Sequence, residues 1–170
     1  MPIPSKTHAL LFLSKGNTII GEDYFCALVQ QVRTEHRELH QRVKQIRDRL
    51  AALTIPRVSA IASAELRQAL VALHEYVGHH FSQEENGGWL EEAVVRLPRL
   101  AHELTVLEGQ HDPLLRRLNQ LIDETPTGES SLSAWKHTAD NFDVFVHDLF
   151  AHEAHEEKIM QTGLNQEIIS

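Results

Sequence analysis

Residues 73–85 read LHEYVGHHFSQEE, and residues 149–157 read LFAHEAHEE. In each stretch a histidine and a glutamate stand four residues apart, His80 with Glu84 and His152 with Glu156. At 3.6 residues per turn this spacing stacks both side chains on one helix face. Stepping outward by alternating threes and fours keeps to that face. It passes Leu66, Leu70, Leu73 and Val77 before the first pair, and Trp135, Thr138, Phe142, Phe145 and Leu149 before the second, with Ile159 after it. The pattern is an apolar helical seam and lacks the two-residue alternation of a strand.

The same stepping finds two more seams. One is Val29, Val32, His36, Leu39, Val43, Ile46 and Leu50; the other is Leu97, Leu100, Leu104, Leu107, His111, Leu114, Leu118 and Leu121. Local punctuation sets the limits of the four segments. The first spans about Glu22–Leu53 and stops before Pro56. The second starts near Ser63, a suitable N-cap, and ends at Gly87 and Gly88. The third covers about Pro98–Asp123 and gives way to the polar run ETPTGESS; the fourth extends from about Leu132 to Gln161, with Gly163 as its stop. WLEEAVVRL, between the second and third, predicts a short helical turn. The predicted class is all-α: an N-terminal arm over residues 1–21, a helical bundle over 22–163 and a C-terminal tail over 164–170.

Composition narrows the function. The chain has 170 residues, enough for one domain, and a formal charge of -8 from 16 basic and 24 acidic residues, so nucleic acid and anionic membrane surfaces are unfavourable partners. No stretch approaches the roughly twenty apolar residues that span a bilayer. The single cysteine, Cys26, excludes an internal disulfide and a thiolate zinc site, which fits a reducing cytoplasm; buried thiol is its expected state. Twelve histidines are the unusual feature.

Thr138 apart, the only non-apolar residues on the four seams are His36, His80, Glu84, His111, His152 and Glu156. They form a repeat. His36 precedes the first His/Glu pair by 44 residues and His111 precedes the second by 41, so each hairpin offers one histidine from its first helix and a histidine with a carboxylate from its second. In an antiparallel pair His36 and His80 each lie roughly 25 Å from the connection and meet at one level; the second hairpin matches less well, at about 18 Å against about 30 Å. Pro113 removes a backbone hydrogen bond to the Gly109 carbonyl and predicts either a kink beside His111 or a fresh helix starting at Asp112-Pro113.

Imidazoles and carboxylates buried without partners each cost several kcal/mol. Six at one level call for compensating cations. His36 and His80 suit one ion and His111 and His152 a second, with Glu84 and Glu156 shared and an oxo or hydroxo oxygen between the ions. About five ligands per ion leave a position open to a small molecule. Nitrogen and oxygen donors without thiolate favour iron or manganese, and zinc would also accept them. His40, His74, His79 and His155 flank the seams as partly exposed side chains that can add or swap ligands; His8, His102, His137 and His147 read as surface residues. Glu85 and Glu157 are candidate partners of the ligand imidazoles. Leu39, Leu73, Val77, Leu107, Leu114 and Leu149 are expected to wall the open position.

In TEHREL, HHFSQEE, LEGQHDPLL and AHEAHEE the chain resembles the hemerythrin-like, or HHE cation-binding, family, over roughly residues 22–162. The resemblance implies an up-down-up-down antiparallel four-helix bundle with a non-haem di-iron centre that binds or senses oxygen or nitric oxide, or holds iron. The alternatives are a di-iron enzyme of nitrosative or oxidative stress defence, acting in iron-sulfur cluster repair or in peroxide or nitric oxide reduction, and an interaction module stabilised by zinc. No catalytic residue, flavin motif or haem motif stands out. The expected partner is a small diatomic molecule, O2 or NO, in the cytoplasm.

Overall fold

The computed structural model describes residues 18–53, 60–86, 94–95, 97–127 and 130–165. Among these, helices account for nearly all of the chain and no strand occurs. α1 spans Thr18–Leu53 and α2 spans Ala60–Glu85. A 3-10 turn at Pro98–Leu100 leads into α3, Ala101–Glu108, and α4, His111–Glu124, follows; α5 spans Leu132–Asn165. The chain thus folds as a helical bundle of four arms, with α3 and α4 together forming the third. α1 packs on α2, α2 on α4, α4 on α5 and α5 back on α1.

The ends follow local chemistry. Ser131 caps α5: its Oγ accepts the Ala134 N–H at 3.3 Å and its carbonyl accepts Ala134 and Trp135. α4 stops because Pro126 holds the preceding Thr125 extended, and the buried Thr125 hydroxyl turns back to donate to the Leu121 carbonyl at 2.6 Å. Pro98 opens the 3-10 turn, where its missing N–H costs nothing.

Several sequence expectations need correction. α1 begins at Thr18, inside the stretch expected to be an arm. Ser63 is not the N-cap of α2, which starts three residues earlier at Ala60; Ser63 is buried inside the helix. Gly163 does not stop α5, which continues to Asn165, since a single glycine weakens a helix by only about 1 kcal/mol. Cys26 is exposed, lying about 80° around α1 from His36 at 3.6 residues per turn. Gly87, Gly88, His8 and most of WLEEAVVRL lie outside the described residues.

The third arm resolves the Pro113 alternatives in favour of a fresh helix. Gly109 and Gln110 form a tightened turn, with Gln110 N–H donating to the Leu107 carbonyl at 2.9 Å, and α4 restarts at His111. Pro113 is then the third residue of a new helix, among the first four N–H groups that have no partner within the helix. Both turn residues stay in the right-handed helical region, so the break does not swing His111 away from the seam.

Two apolar clusters fill the bundle. The larger runs from Leu39 through Leu53 on α1 and includes Leu73, Val77 and Phe81 of α2, Leu114 and Leu118 of α4, and Trp135, Phe142, Phe145 and Leu149 of α5. The smaller joins Val29 and Val32 of α1 to Leu100, Leu104 and Leu107 and to Ile159 and Met160 of α5. Phe142 is fully enclosed while Val144, two residues on, is half exposed. Phe142→Ala is expected to cost about 3–5 kcal/mol in urea unfolding and Val144→Ala within about 0.5 kcal/mol. Equal effects would place the core elsewhere.

Candidate metal centre

On three of the four arms the sequence passes from one cluster to the other through a polar residue. On α1 His36 separates Val32 from Leu39; at the α3–α4 break His111 separates Leu107 from Leu114; on α5 His152 and Glu156 separate Leu149 from Ile159. The polar residues therefore form a slab across the bundle. All six are buried, His36 the least at 9% exposed.

The structure brings the six together. His36 and His80 face each other with ring centroids 5.2 Å apart, and His111 and His152 do so at 5.0 Å. The two carboxylates lie between these pairs. Glu84 places Oε1 3.1 Å from His80 Nε2 and Oε2 3.3 Å from His111 Nε2. Glu156 places Oε2 2.9 Å from His36 Nε2 and Oε1 3.4 Å from His152 Nε2. Each glutamate thus spans both histidine pairs. Two overlapping groups have the spacing to hold a cation: His36, His80, Glu84 and Glu156, and Glu84, His111 and His152.

The donor set fits metal. The Nε2 atoms of all four histidines and both carboxylate oxygens of Glu84 and Glu156 are buried and make no hydrogen bond of acceptable geometry. Such orphaned groups are rare in folded proteins and costly. Here they converge, as ligand atoms around cations do. Electrostatics carry the same strain. Burial, reinforced by the Glu156 charge, pushes the Glu84 carboxyl well above its ordinary range. Burial acts the same way on Glu156, but interactions with Glu84, His152 and His36 outweigh it and hold that carboxylate well below. The two facing carboxyls therefore resist being ionised together, a conflict that a bound cation would relieve. Burial also lowers His111, whereas for His36 the Glu156 carboxylate overcomes burial and raises it.

The outer ring nitrogens of His80, His111 and His152 are held as well. With Nε2 facing inward, Nδ1 carries the proton and donates outward. His80 donates to Glu35 at 2.9 Å, His111 to Glu85 at 2.7 Å and His152 to Gln110 at 3.0 Å. Burial works against the Glu35 charge, yet hydrogen bonds from His80 and Gln31 keep the carboxyl below its ordinary value. Glu85 was anticipated in this role; Glu35 and Gln110 were not, although each directly precedes a seam histidine. Glu157 was anticipated too, but it pairs with Arg33 at 2.5 Å, and that guanidinium holds its carboxyl low.

Leu39, Leu73, Val77, Leu107, Leu114 and Leu149 are all buried, as expected for the walls. Phe81 is a wall residue that the seams missed. Its ring stacks on His111 at 4.0 Å and meets His152 edge-on at 5.1 Å. Of the flanking histidines, His79 is exposed and His74 and His155 are partly exposed. His40, half exposed, pairs through Nε2 with the buried Glu153 at 2.5 Å. His102, His137 and His147 are on the surface.

A helical bundle with a buried slab of histidines and shared carboxylates defines a cation-binding protein. A family model described as the hemerythrin HHE cation binding domain matches residues 27–164, and the chain belongs to that family. No curated protein and no solved structure matches the chain. No helix among the described residues is long and apolar enough to cross a membrane.

Proposed function

We propose that the chain is a non-haem di-iron protein of the cytoplasm that binds or senses oxygen or nitric oxide, or holds iron, at a dinuclear centre of His36, His80, Glu84, His111, His152 and Glu156. The observation that carries this reading is the pair of carboxylates, each lying within 3.4 Å of one histidine from either pair. A single ion would need only one such group; two shared glutamates suit two ions. Nitrogen and oxygen donors with no thiolate suit iron or manganese.

The proposed scaffold is the up-down-up-down antiparallel form. Support comes from pairs whose numbers rise on one helix as they fall on the next. Between α1 and α2 these are Tyr76 with Glu38 and Arg49 with Glu65; between α1 and α5 they are Arg33 with Glu157 and Arg47 with Asp143. Between α2 and α4, Glu85 meets His111 and Arg67 meets the Ile122 carbonyl; between α4 and α5, Arg117 meets Asp148 while Gln110 meets His152.

Bound iron would supply an open coordination position for a small diatomic molecule. The chain's own residues decide what reaches it. The aliphatic walls and Phe81 exclude water and favour small neutral molecules over ions. Glu84 and Glu156 supply negative charge that offsets the cations, and the outer partners fix the imidazoles of His80, His111 and His152 with Nε2 inward.

Metal analysis and the optical spectrum of aerobically purified protein test the reading. Two irons per chain with diferric absorption that changes on adding nitric oxide to the reduced protein are expected. His80→Ala should lower the iron content. Stoichiometric zinc without iron, or unchanged metal in His80→Ala, would overturn it.

A further inference from the structure

The two hairpins are related by a pseudo-twofold exchange that carries His36 onto His111, His80 onto His152 and Glu84 onto Glu156. The exchange extends to the outer partners. Glu35 precedes His36 and reaches His80 Nδ1 at 2.9 Å; Gln110 precedes His111 and reaches His152 Nδ1 at 3.0 Å. Glu85 follows Glu84 and accepts from His111 Nδ1 at 2.7 Å. Its counterpart Glu157 follows Glu156 but turns to Arg33. Geometry is kept at the first pair of places while charge is not, because a carboxylate stands at one and an amide at the other.

The difference has a chemical consequence. An imidazole whose Nδ1–H is given to a carboxylate becomes a stronger donor at Nε2, and a neutral amide does this far less. Screening adds to the contrast. The Glu35 side chain is 20% exposed and that of Glu85 is 48% exposed, so water weakens the effect of Glu85 more. The His36/His80 pair thus has the better-shielded carboxylate behind it. The His111/His152 pair has a screened carboxylate and an amide.

Resting on the dinuclear reading above, we propose that Glu35 and Gln110 are positioning residues that make the two cation positions unequal, the His36/His80 position binding a divalent ion first and more tightly. The broken repeat gives the protein a defined order of loading. It also makes Gln110, at the interruption of the third arm, the residue that keeps the second position weaker.

Calorimetric titration of metal-free protein with Co2+, without oxygen, tests this. Two binding steps about tenfold or more apart are expected in the wild type, in line with the effect of partners behind ligand histidines. Gln110→Glu should strengthen the weaker step and narrow the gap; Glu35→Gln should weaken the tighter step by about 10–100-fold. Both substitutions should leave the melting temperature of the metal-free protein nearly unchanged, which a merely structural role would not. Two indistinguishable steps in the wild type, or equal shifts of both steps in Gln110→Glu, would overturn the proposal and leave the dinuclear reading standing. A wild-type protein that takes up no Co2+ would overturn both.

Discussion

Removing the metal from the purified protein is expected to lower its melting temperature by about 8–16 °C. An ion present at about a thousand times its dissociation constant stabilises the folded state by about 4 kcal/mol, and for a domain of this size each kcal/mol moves the midpoint by about 2–4 °C. The site supports a loss of this size. Without cations the slab keeps four inward imidazole nitrogens and four carboxylate oxygens with no hydrogen bond, packed between two apolar clusters that offer none. Burial and the Glu156 charge both work against ionising Glu84, so the metal-free bundle must carry a proton or admit water where the ions had been. Calorimetric scans of protein before and after chelation and dialysis check the expectation, with re-added metal restoring the higher midpoint. Superimposable scans would mean that no cation stabilises the slab.

On the proposed dinuclear reading, Glu156→Gln is expected to empty both cation positions rather than one. Its carboxylate approaches His36 with one oxygen and His152 with the other, so the loss of its charge is felt by both pairs. Outer partners of ligand histidines are worth about 10–100-fold in affinity, and a shared ligand should exceed that for each ion. Glu153→Gln is the control. Glu153 is buried three residues away on the same helix, but its Oε2 pairs with the half-exposed His40 and it acts on His36 only through its charge. Metal content should therefore fall to near zero in Glu156→Gln and stay near the wild-type level in Glu153→Gln. Loss of a single ion from Glu156→Gln would show that the carboxylate serves one position only. Equal loss in both variants would point to general disruption of α5.

Much of this centre could be read in one dimension because its residues interrupt a regular pattern. A histidine at position 36, 80, 111 or 152 is visible where the seam steps demand an aliphatic side chain, and Glu84 and Glu156 are visible for the same reason. The outer partners interrupt nothing. Glu35 and Gln110 sit one position off the seam, where polar residues are ordinary, and only the neighbouring helix shows that they face an imidazole. The repeat held a signal for them, since each directly precedes a seam histidine. Glu157 shows the limit of that signal. Its place equals that of Glu85, but Arg33 lies within reach and takes it. Phe81 went unseen because it lies next to His80, off the step of three and four, while the helix packing turns its ring onto His111.

Helix limits were legible at the polar run ETPTGESS, which contains the Pro126 and Ser131 that end one helix and cap the next. They were not legible where packing decides. Gly163 is too weak a breaker to end α5, and Ser63 lies inside a helix that starts at Ala60. Pro113 left two outcomes open because its missing N–H matters in a helix interior and not in a first turn.

By itself the chain's order of residues determined that four helical segments would form, which face of each would be buried and which six polar side chains would be buried with it, because periodicity is a property of single helices. Only the packed bundle decided which imidazole faces which carboxylate oxygen, and what stands behind each ring, because those depend on the relative height and rotation of helices whose contacts lie tens of residues apart.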